Sequence, residues 1–325
     1  MSLFAKELAV GLQAVREASE ICRRVQKEIA GSSLEKDDKS PVTIADFASQ
    51  AIVCRILTSQ FPSDPIIGEE DAADLMSDER RPFLDRVVAL INASHPGVKP
   101  ESVCNWIDAG RGDAGARFWT LDPIDGTKGF LRGEQYAVSL ALIVDGQIQV
   151  SILGCPNLPA TDAWDGETGC LFAAVRGQGA TLRRLASGDE TQTVRTSGTK
   201  KTSAARFCES VESGHSSHNR SSQIADLLGI QSAPVRLDSQ AKYGVVARGE
   251  ADAYLRLPTK AGYREKIWDH AGGVLVVEEA GGRVTDVDGK PLEFTHGREL
   301  SANRGVIVTN GLIHDAVLEA VSKTA

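Results

Sequence analysis

The 325-residue sequence contains no pair of cysteines at Cys-x-x-Cys spacing, and no paired His/Cys spacing typical of a zinc site. A disulfide framework and a structural zinc cluster are therefore not indicated. Scattered cysteines of this kind predict free thiols in a reducing compartment, so we expect a cytoplasmic protein. The six cysteines are Cys22, Cys54, Cys104, Cys155, Cys170 and Cys208.

The sequence also has no excess of positive charge, no long apolar run and no glycine-rich P-loop. Asp and Glu number 44 against 36 Lys and Arg, which gives a formal net charge of -8. Affinity for a nucleic-acid polymer needs massed Lys and Arg, so we expect no such partner. No apolar run approaches the roughly 18 residues of a membrane helix, and we expect no membrane association. Without a P-loop, kinase or NTPase chemistry is disfavoured. We also expect a monomer that binds a small molecule.

Apolar periodicity predicts two long helices, over the first thirty residues and over 41–60. They are followed by a mainly antiparallel set of strands, with a short strand over 118–121 and two hairpins that turn at Asp145-Gly146 and at 176–179. Beyond about residue 203, strands and helices alternate, and one further hairpin is predicted around Asp288-Gly289. The polar stretch 187–203 has no apolar period and is the best candidate for a domain junction. The pattern predicts an N-terminal α+β domain over residues 1–195 and a C-terminal α/β domain over 196–325.

The sharpest local feature is Trp119-Thr-Leu-Asp122-Pro-Ile-Asp125-Gly-Thr127-Lys-Gly-Phe. An apolar strand delivers two carboxylates three residues apart, and Gly126 allows a sharp turn after them. Carboxylates on a stiff turn, together with a backbone carbonyl, suit the octahedral oxygen coordination that Mg²⁺ prefers. Taken alone, Asp125-Gly126 is equally consistent with an ordinary turn.

Two other acidic groups also stand at junctions between elements. Gly68-Glu69-Glu70-Asp71 follows an apolar segment, and Asp269 stands in the first turn of a predicted helix. Each has a simpler interpretation, as a solvated loop or as a charge that stabilises the helix N-terminus. Side chains at junctions can converge from distant segments, and this favours a shared metal site.

Taken together, Asp122–Thr127, Gly68–Glu70 and Trp268-Asp269 resemble the three signature motifs of the inositol-monophosphatase superfamily. The segments Lys128–Arg132 and Leu237–Arg256 are similar to the 3′(2′),5′-bisphosphate nucleotidases of fungi and plants. The resemblance covers nearly the whole chain. It implies a fold of α+β and α/β character, an inositol-monophosphatase-like layered αβαβα sandwich, with metal bound by the N-terminal domain and nucleotide by the C-terminal one.

The resemblance also implies an activity: Mg²⁺-dependent hydrolysis of the 3′-phosphate of adenosine 3′,5′-bisphosphate, to AMP and phosphate. Action on the 2′,5′ isomer and on the sulfated form, and inhibition by Li⁺ and Na⁺, follow by the same resemblance. Asp46 and Thr127 would prepare the attacking water, since a hydroxyl needs an ionised carboxylate to accept its proton. Two or three Mg²⁺ ions would be held by Glu69, Asp122, the carbonyl of Ile124, Asp125 and Asp269.

For the substrate, the resemblance implies contacts from both halves of the chain. Ser239 is predicted to open a helix whose first amides favour anions, with Lys242 one turn later on the same face. The plainer alternatives are a helix cap and a solvated lysine. His215 is preferred to the nearby His218 because it directly follows Gly214. The implied substrate contacts are Gly126, Thr127, His215, Ser239, Lys242 and Arg256.

Two rival functions stay open at the level of sequence. The first is an inositol polyphosphate 1-phosphatase or an enzyme of dual specificity, because an inositol phosphate would present its phosphate to the same metals. A non-catalytic sensor of the bisphosphate nucleotide would bind without chemistry. Such a sensor would have had little need to keep Asp46 or Thr127.

Overall fold

A computed structural model describes residues 3–30, 40–73, 75–160, 167–186, 188, 190–211, 218–258, 260 and 262–324. Within these residues, two β-sheets alternate with three layers of helices. The helices are α1 (Ala5–Ala30), α2 (Ser40–Gln60), α3 (Arg81–Asn92), α4 (Pro100–Asp108), α5 (Thr127–Leu131), α6 (His218–Leu227), α7 (Ala241–Ala247), α8 (Trp268–Glu279) and α9 (His314–Lys323). The strands are β1 (Ile66–Gly68), β2 (Arg117–Asp125), β3 (Ala137–Val144), β4 (Gln147–Pro159), β5 (Thr168–Val175), β6 (Ala180–Arg184), β7 (Thr191–Val194), β8 (Phe207–Glu209), β9 (Val235–Arg236), β10 (Ala253–Arg256), β11 (Arg283–Thr285) and β12 (Val306–Thr309).

The first layer consists of α1 and α2, which pack on each other and on one face of the first sheet. In the described part of the chain, one segment, Val42–Gln60, is long and apolar enough to cross a membrane by length and composition. Its charged residues are Asp46 and Arg55. Because 78% of the segment is buried inside the protein, it is a core helix.

The first sheet runs in the order β1-β2-β3-β4-β5-β6-β7, with β1 parallel to β2 and the other neighbours antiparallel. The predicted hairpins on either side of Asp145-Gly146 and of 176–179 are both present. Strand β2 is longer than predicted and includes Asp122 and Asp125, because its pairing with β3 continues past Asp122 after a shift of register. The acidic motif is thus the end of a strand, and the turn follows it at Gly126.

The second sheet has the order β11-β12-β10-β8-β9. Helices α7 and α8 lie between the two sheets, while α6 and α9 pack together, with α9 on the outer side of the second sheet. This gives the predicted αβαβα order. The predicted hairpin around Asp288-Gly289 is wrong: β11 pairs with β12, and the turn at Gly289 only begins the connection between them.

The predicted boundary at residue 195 lies just after β7, the last strand of the first sheet, and it stays a prediction. The core is continuous across this point, since Phe172 of the first sheet packs in the same apolar cluster as Tyr243 of α7. All six cysteines are buried free thiols, as predicted.

His314, the first residue of α9, is buried with both ring nitrogens against threonine hydroxyls. Its Nε2 lies 3.0 Å from Thr285 Oγ1 and its Nδ1 lies 2.9 Å from Thr309 Oγ1. The Thr285 hydroxyl donates to the carbonyl of Asp286 and so accepts from Nε2–H, which leaves Nδ1 to accept from Thr309. Protonation of Nδ1 would break that bond. Burial, with a contribution from Arg283, lowers the pKa of His314 to about 4.

His314 therefore predicts a specific loss of stability in acid. The unfolded chain binds a proton near pH 6.5 and the folded chain does not, so stability falls as the pH drops from 6.5 towards 4. We expect His314→Asn to remove about 2 kcal/mol from the difference in unfolding free energy between pH 7.5 and 4.5. Urea titrations at both pH values measure it, with the more exposed His296→Asn as control. Equal pH dependence in the His314→Asn variant and the wild type would contradict the assignment.

Candidate functional site

A cavity of about 280 Å³ opens where the C-terminal end of β2 faces α7, α8 and β10. Both sheets contribute to its wall, so the site depends on the packing of the two halves of the chain. Its lining residues are Glu69, Asp122, Ile124, Asp125, Gly126, Thr127, Lys128, Gly129, Ser210, Asp238, Ser239, Gln240, Lys242, Tyr254, Arg256, Tyr263, Asp269 and His270.

Strand β2 positions Asp122 and Asp125. Asp122 is buried in the sheet, and the shift of register after it turns Asp125 towards the cavity. Gly126 then adopts φ 89°, in the left-handed region that favours glycine. A Cβ at Gly126 would lie 2.9 Å from Cβ of Ser239, so only glycine fits between β2 and the segment before α7. Helix α5 begins directly afterwards, at Thr127.

Glu69 reaches the cavity because β1 runs parallel to β2. Gly68 is in register with Leu121, so Glu69 emerges beside Asp122. The side chain of Gln50 fixes this loop: it donates to the carbonyl of Glu70 at 2.6 Å and accepts from the Glu70 N–H at 3.0 Å. The loop is thus held from α2, independently of any charge in the cavity.

Asp269 lies in the first turn of α8, as predicted. The start of α8 is anchored by Gln240, whose Nε2 donates to the carbonyl of Trp268 at 2.9 Å. The backbone N–H of Gln240 also donates to Asp125 Oδ2. One residue therefore ties the end of β2 to the beginning of α8.

The carboxyl groups at the cavity repel one another. Burial, followed by the charge of Glu69, raises the pKa of Asp122 well above its ordinary value. Burial and the charge of Asp125 raise the pKa of Asp269 in the same way. Partial burial, followed by the charges of Glu70 and Asp125, raises the pKa of Glu69 to about 7.

The burial and charge of these acids favour a hard divalent cation. Asp122 is buried, and Glu69, Asp125 and Asp269 all add negative charge around it. Asp122 Oδ1 is buried and accepts no hydrogen bond within the described structure. A bound cation would satisfy Oδ1 and relieve the repulsion, and oxygen donors are the ligands that Mg²⁺ prefers. Glu69, Asp122, Asp125, Asp269 and the backbone of Ile124 are together able to hold it.

A second cluster beside this one is less suited to a metal. Donor atoms of Glu265, Asp269 and His270 lie within 4.8 Å of one another. Glu265 already pairs with Arg256 at 3.1 Å, and its carboxylate lies 3.2 Å from Nε2 of His270. Burial alone would raise the pKa of Glu265, but His270 and Arg256 lower it to about 2. An ion there would compete with a cation of the protein itself.

Asp46 and Thr127 lie on two different helices beside the acidic residues, Asp46 on α2 and Thr127 at the start of α5. Thr127 is exposed on the cavity wall, whereas Asp46 is buried on α2, behind the wall. Helix α2 packs against α5, which begins at Thr127. Burial and the charges of Glu70 and Glu69 raise the pKa of Asp46 well above its ordinary value. Its Oδ1 has no hydrogen-bond partner in the part of the chain that the structure describes.

Lys242 and Arg256 both line the cavity, as the resemblance implies. Lys242 is buried rather than solvated: its Nζ donates to the carbonyl of Leu237 at 3.3 Å and lies 5.0 Å from the Tyr254 ring centroid. Arg256 is fixed by its ion pair with Glu265. Two cations therefore face the acidic side of the same cavity.

The prediction that Ser239 opens a helix is wrong. Helix α7 begins at Ala241, and Ser239 instead has φ 68°, a left-handed conformation that is uncommon for serine. Its Oγ accepts from the N–H of Ala241 at 3.1 Å. Ser239 still lines the cavity. His215 lies outside the described residues, so its predicted contact stays a prediction, as does the choice between His215 and His218.

Sequence reasoning missed several residues that shape the site. Gln50 and Gln240 act through hydrogen bonds to backbone atoms of distant segments, and no local pattern signals this. Arg298 donates to the carbonyl of Gly68 and lies over the ring of Trp268, 4.8 Å from its centroid. Tyr254 and Tyr263 line the cavity, whereas four aromatic residues next to the sequence motifs are buried in the core. Those core residues are Trp119, Phe130, Tyr136 and Trp268.

Comparison with known proteins gives consistent results. A model of the inositol monophosphatase family matches residues 5–324. A 3′(2′),5′-bisphosphate nucleotidase from Emericella nidulans is 43% identical, with 98% of this chain and 98% of the relative covered. One from Schizosaccharomyces pombe is 45% identical, with 98% and 96% covered. The solved inositol monophosphatase from Anabaena (Nostoc) sp. PCC 7120 is 23% identical, with a TM-score of 0.61 and 98% and 96% covered, and it has the layered fold predicted here.

Proposed function

The chain belongs to the inositol monophosphatase family, and from that membership we propose that it is a metal-dependent phosphatase that hydrolyses the 3′-phosphate of adenosine 3′,5′-bisphosphate, releasing AMP and phosphate. The observation that carries the proposal is that one cavity is lined both by Glu69, Asp122, Asp125 and Asp269 and by the cations Lys242 and Arg256. Two fungal relatives named as 3′(2′),5′-bisphosphate nucleotidases support the nucleotide as substrate. Hydrolysis of the 2′,5′ isomer and of the sulfated form stays a prediction, as do a monomeric state and a cytoplasmic location.

We propose that Mg²⁺ is the cofactor and that two or three ions bind. Bound ions would offset the charge on the phosphoryl oxygens and lower the pKa of water. The chain's part is to fix the positions of the oxygen donors, which the sheet and Gln240 do before any ion arrives. The proposed ligands are Glu69, Asp122, the Ile124 carbonyl, Asp125 and Asp269.

Asp46 and Thr127 are proposed to handle the proton of the attacking water. The hydroxyl of Thr127, exposed on the cavity wall, would accept a hydrogen bond from the water and pass its own proton towards Asp46 Oδ1. The raised pKa of Asp46 supports this role, because a carboxylate with a higher pKa is a better proton acceptor. The packing of α2 against α5 keeps the two residues on neighbouring elements.

The substrate is proposed to lie between the two halves of the cavity. The transferred phosphate would contact the backbone of Gly126 and Thr127 near the acids. Lys242, Arg256 and Ser239 would bind the nucleotide on the opposite wall, where two cations offset the phosphate charge. This arrangement explains how a chain with a net charge of -8 can attract a bisphosphate.

The proposal is tested by phosphate release from adenosine 3′,5′-bisphosphate and from inositol 1,4-bisphosphate, each with Mg²⁺ and with EDTA. We expect release from the nucleotide with Mg²⁺, with a higher kcat/KM than for the inositol substrate, and none with EDTA. A reversed preference would favour an inositol phosphatase. Tight nucleotide binding without phosphate release would favour a sensor.

Thr127→Ala is expected to reduce kcat about 100-fold, because the water loses its hydrogen-bond acceptor and the path of its proton. Binding of AMP, measured by calorimetry, should remain detectable. The matched control is Thr127→Ser, which keeps the hydroxyl and should retain most of the activity. Undiminished turnover in the alanine variant would end the proposed role of Thr127.

A further inference from the structure

The two segments that resemble the nucleotidases most specifically, Lys128–Arg132 and Leu237–Arg256, are joined by one ion pair. Arg132, directly after α5, donates from Nη2 to Asp238 Oδ2, and its Nε donates to Glu134 Oε2 at 2.7 Å. The Asp238 side chain is 7% exposed and lines the cavity. The Glu134 side chain is 50% exposed. Of these two acids, only Asp238 connects Arg132 to the site.

Two glycines bring the same segments into direct contact. A Cβ at Gly129 would lie 2.2 Å from the carbonyl oxygen of Gln135 and 3.0 Å from Cβ of Asp238. A Cβ at Gly126 would lie 2.9 Å from Cβ of Ser239. Such distances leave no room for a larger residue. The segment 238–239 therefore lies flat against 126–129, and Arg132 closes the contact at its far end.

Between these contacts, Ser239 has the left-handed φ of 68°. A residue other than glycine persists in this conformation only when its surroundings determine it. On one side, the N–H of Gln240 donates to Asp125. On the other side, Asp238 is held by Arg132. The backbone of Ser239 is thus fixed from both neighbours, and it forms the part of the cavity wall beside Asp125 and Gly126.

We infer that Arg132 is a positioning residue for nucleotide recognition: through Asp238 it holds the wall around Ser239 in the shape that accepts the nucleoside part of the substrate. The inference rests on the proposed function. Arg132 acts on binding more than on chemistry, because Asp122 and Asp125 are also held by the pairing of β2 with β3, and the Glu69 loop is held by β1 and Gln50. The ion pair is the physical link between the two nucleotidase-like segments of the sequence.

The experiment begins with the wild type, for which phosphate release from adenosine 3′,5′-bisphosphate and calorimetric binding of AMP with Mg²⁺ are measured. In Arg132→Gln we expect about a ten-fold weaker affinity for AMP and a similar rise in KM, with a smaller change in kcat. The Mg²⁺ concentration that half-saturates the thermal shift without nucleotide should change less than two-fold. The matched control, Glu134→Gln, removes the exposed partner of Arg132 and should leave AMP affinity within two-fold of the wild type.

Each outcome separates the two proposals. If the wild type neither binds AMP nor releases phosphate from the nucleotide, the proposed function fails, and the role of Arg132 with it. If the wild type is active but Arg132→Gln binds AMP with unchanged affinity, the inference alone is overturned and the ion pair is only structural. Should Arg132→Gln fail to fold, Arg132→Lys keeps the charge without the planar fork and should weaken AMP binding less than ten-fold but measurably. Unchanged AMP affinity in a folded Arg132→Lys would overturn the inference.

Discussion

Asp122→Asn is expected to reduce phosphate release from adenosine 3′,5′-bisphosphate by about a thousand-fold or more. Asp122 is the most buried of the four acids and the one whose Oδ1 has no partner in the described structure, so a cation there depends on it most. A neutral amide removes a charged ligand and leaves an NH₂ group or a weaker oxygen in its place. A loss of about 4 kcal/mol in transition-state stabilisation corresponds to this factor.

The same substitution is not expected to lower the stability of the metal-free protein, although it abolishes most of the activity. Without metal, Asp122 is forced against Glu69, Asp125 and Asp269, and an amide removes that repulsion. In EDTA, the melting temperature of Asp122→Asn should therefore equal or exceed that of the wild type. In Mg²⁺, the wild type should gain stability by mass action and the variant should gain much less.

The control for this pair of measurements is Asp315→Asn, since the Asp315 side chain is 88% exposed and distant from the cavity. It should leave turnover and both melting temperatures close to the wild type. If Asp122→Asn keeps turnover within a few-fold and an unchanged response to Mg²⁺, Asp122 does not hold the cation.

Arg256→Ala is expected to produce two large and separable effects. The first is on stability: Glu265 loses its ion pair and becomes a buried charge with less compensation, which costs about 3–5 kcal/mol. The second is on binding. The cavity loses a cation, so KM for adenosine 3′,5′-bisphosphate should rise at least about ten-fold. The rise should be larger than for inositol 1,4-bisphosphate.

A second substitution distinguishes these effects. Adding Glu265→Gln to Arg256→Ala removes the uncompensated charge, so much of the lost stability should return while KM stays high. Arg304→Ala serves as control, because its ion pair with Asp288 is exposed and lies away from the cavity. If KM recovers together with stability in the double variant, Arg256 only supports the fold. Equal effects on both substrates would remove it from the nucleotide pocket.

The acidic side of the site could be predicted from the sequence because its positions follow from local structure. Asp122 and Asp125 end an apolar strand, Glu69 ends its parallel neighbour and Asp269 begins an apolar helix. Junctions of this kind converge in layered folds. The long helices and the hairpin at Asp145-Gly146 were predictable for the same reason, since their signals lie within a few residues.

The nucleotide side was less predictable because it depends on contacts between distant segments. Serine is typical of a helix start, but the conformation of Ser239 is set by its close contact with Gly126 and by two hydrogen bonds of its neighbours. These bonds join Asp238 to Arg132 and the N–H of Gln240 to Asp125. The pairing of Arg256 with Glu265 depends on the loop between β10 and α8. The spacing of residue types does not signal such contacts. The family resemblance indicated which residues line the nucleotide side, but not the residues that they bond to.

Anomalous diffraction from a crystal grown with Mn²⁺ will show whether the four acids, which come from three distant segments, surround divalent cations. We expect an ion about 2.0–2.4 Å from carboxylate oxygens of both Asp122 and Asp125, with Glu69 and Asp269 turned towards the same centre. An ion held only by Glu265, Asp269 and His270, or a cavity in which Glu69 and Asp269 point away from Asp122, would contradict the account.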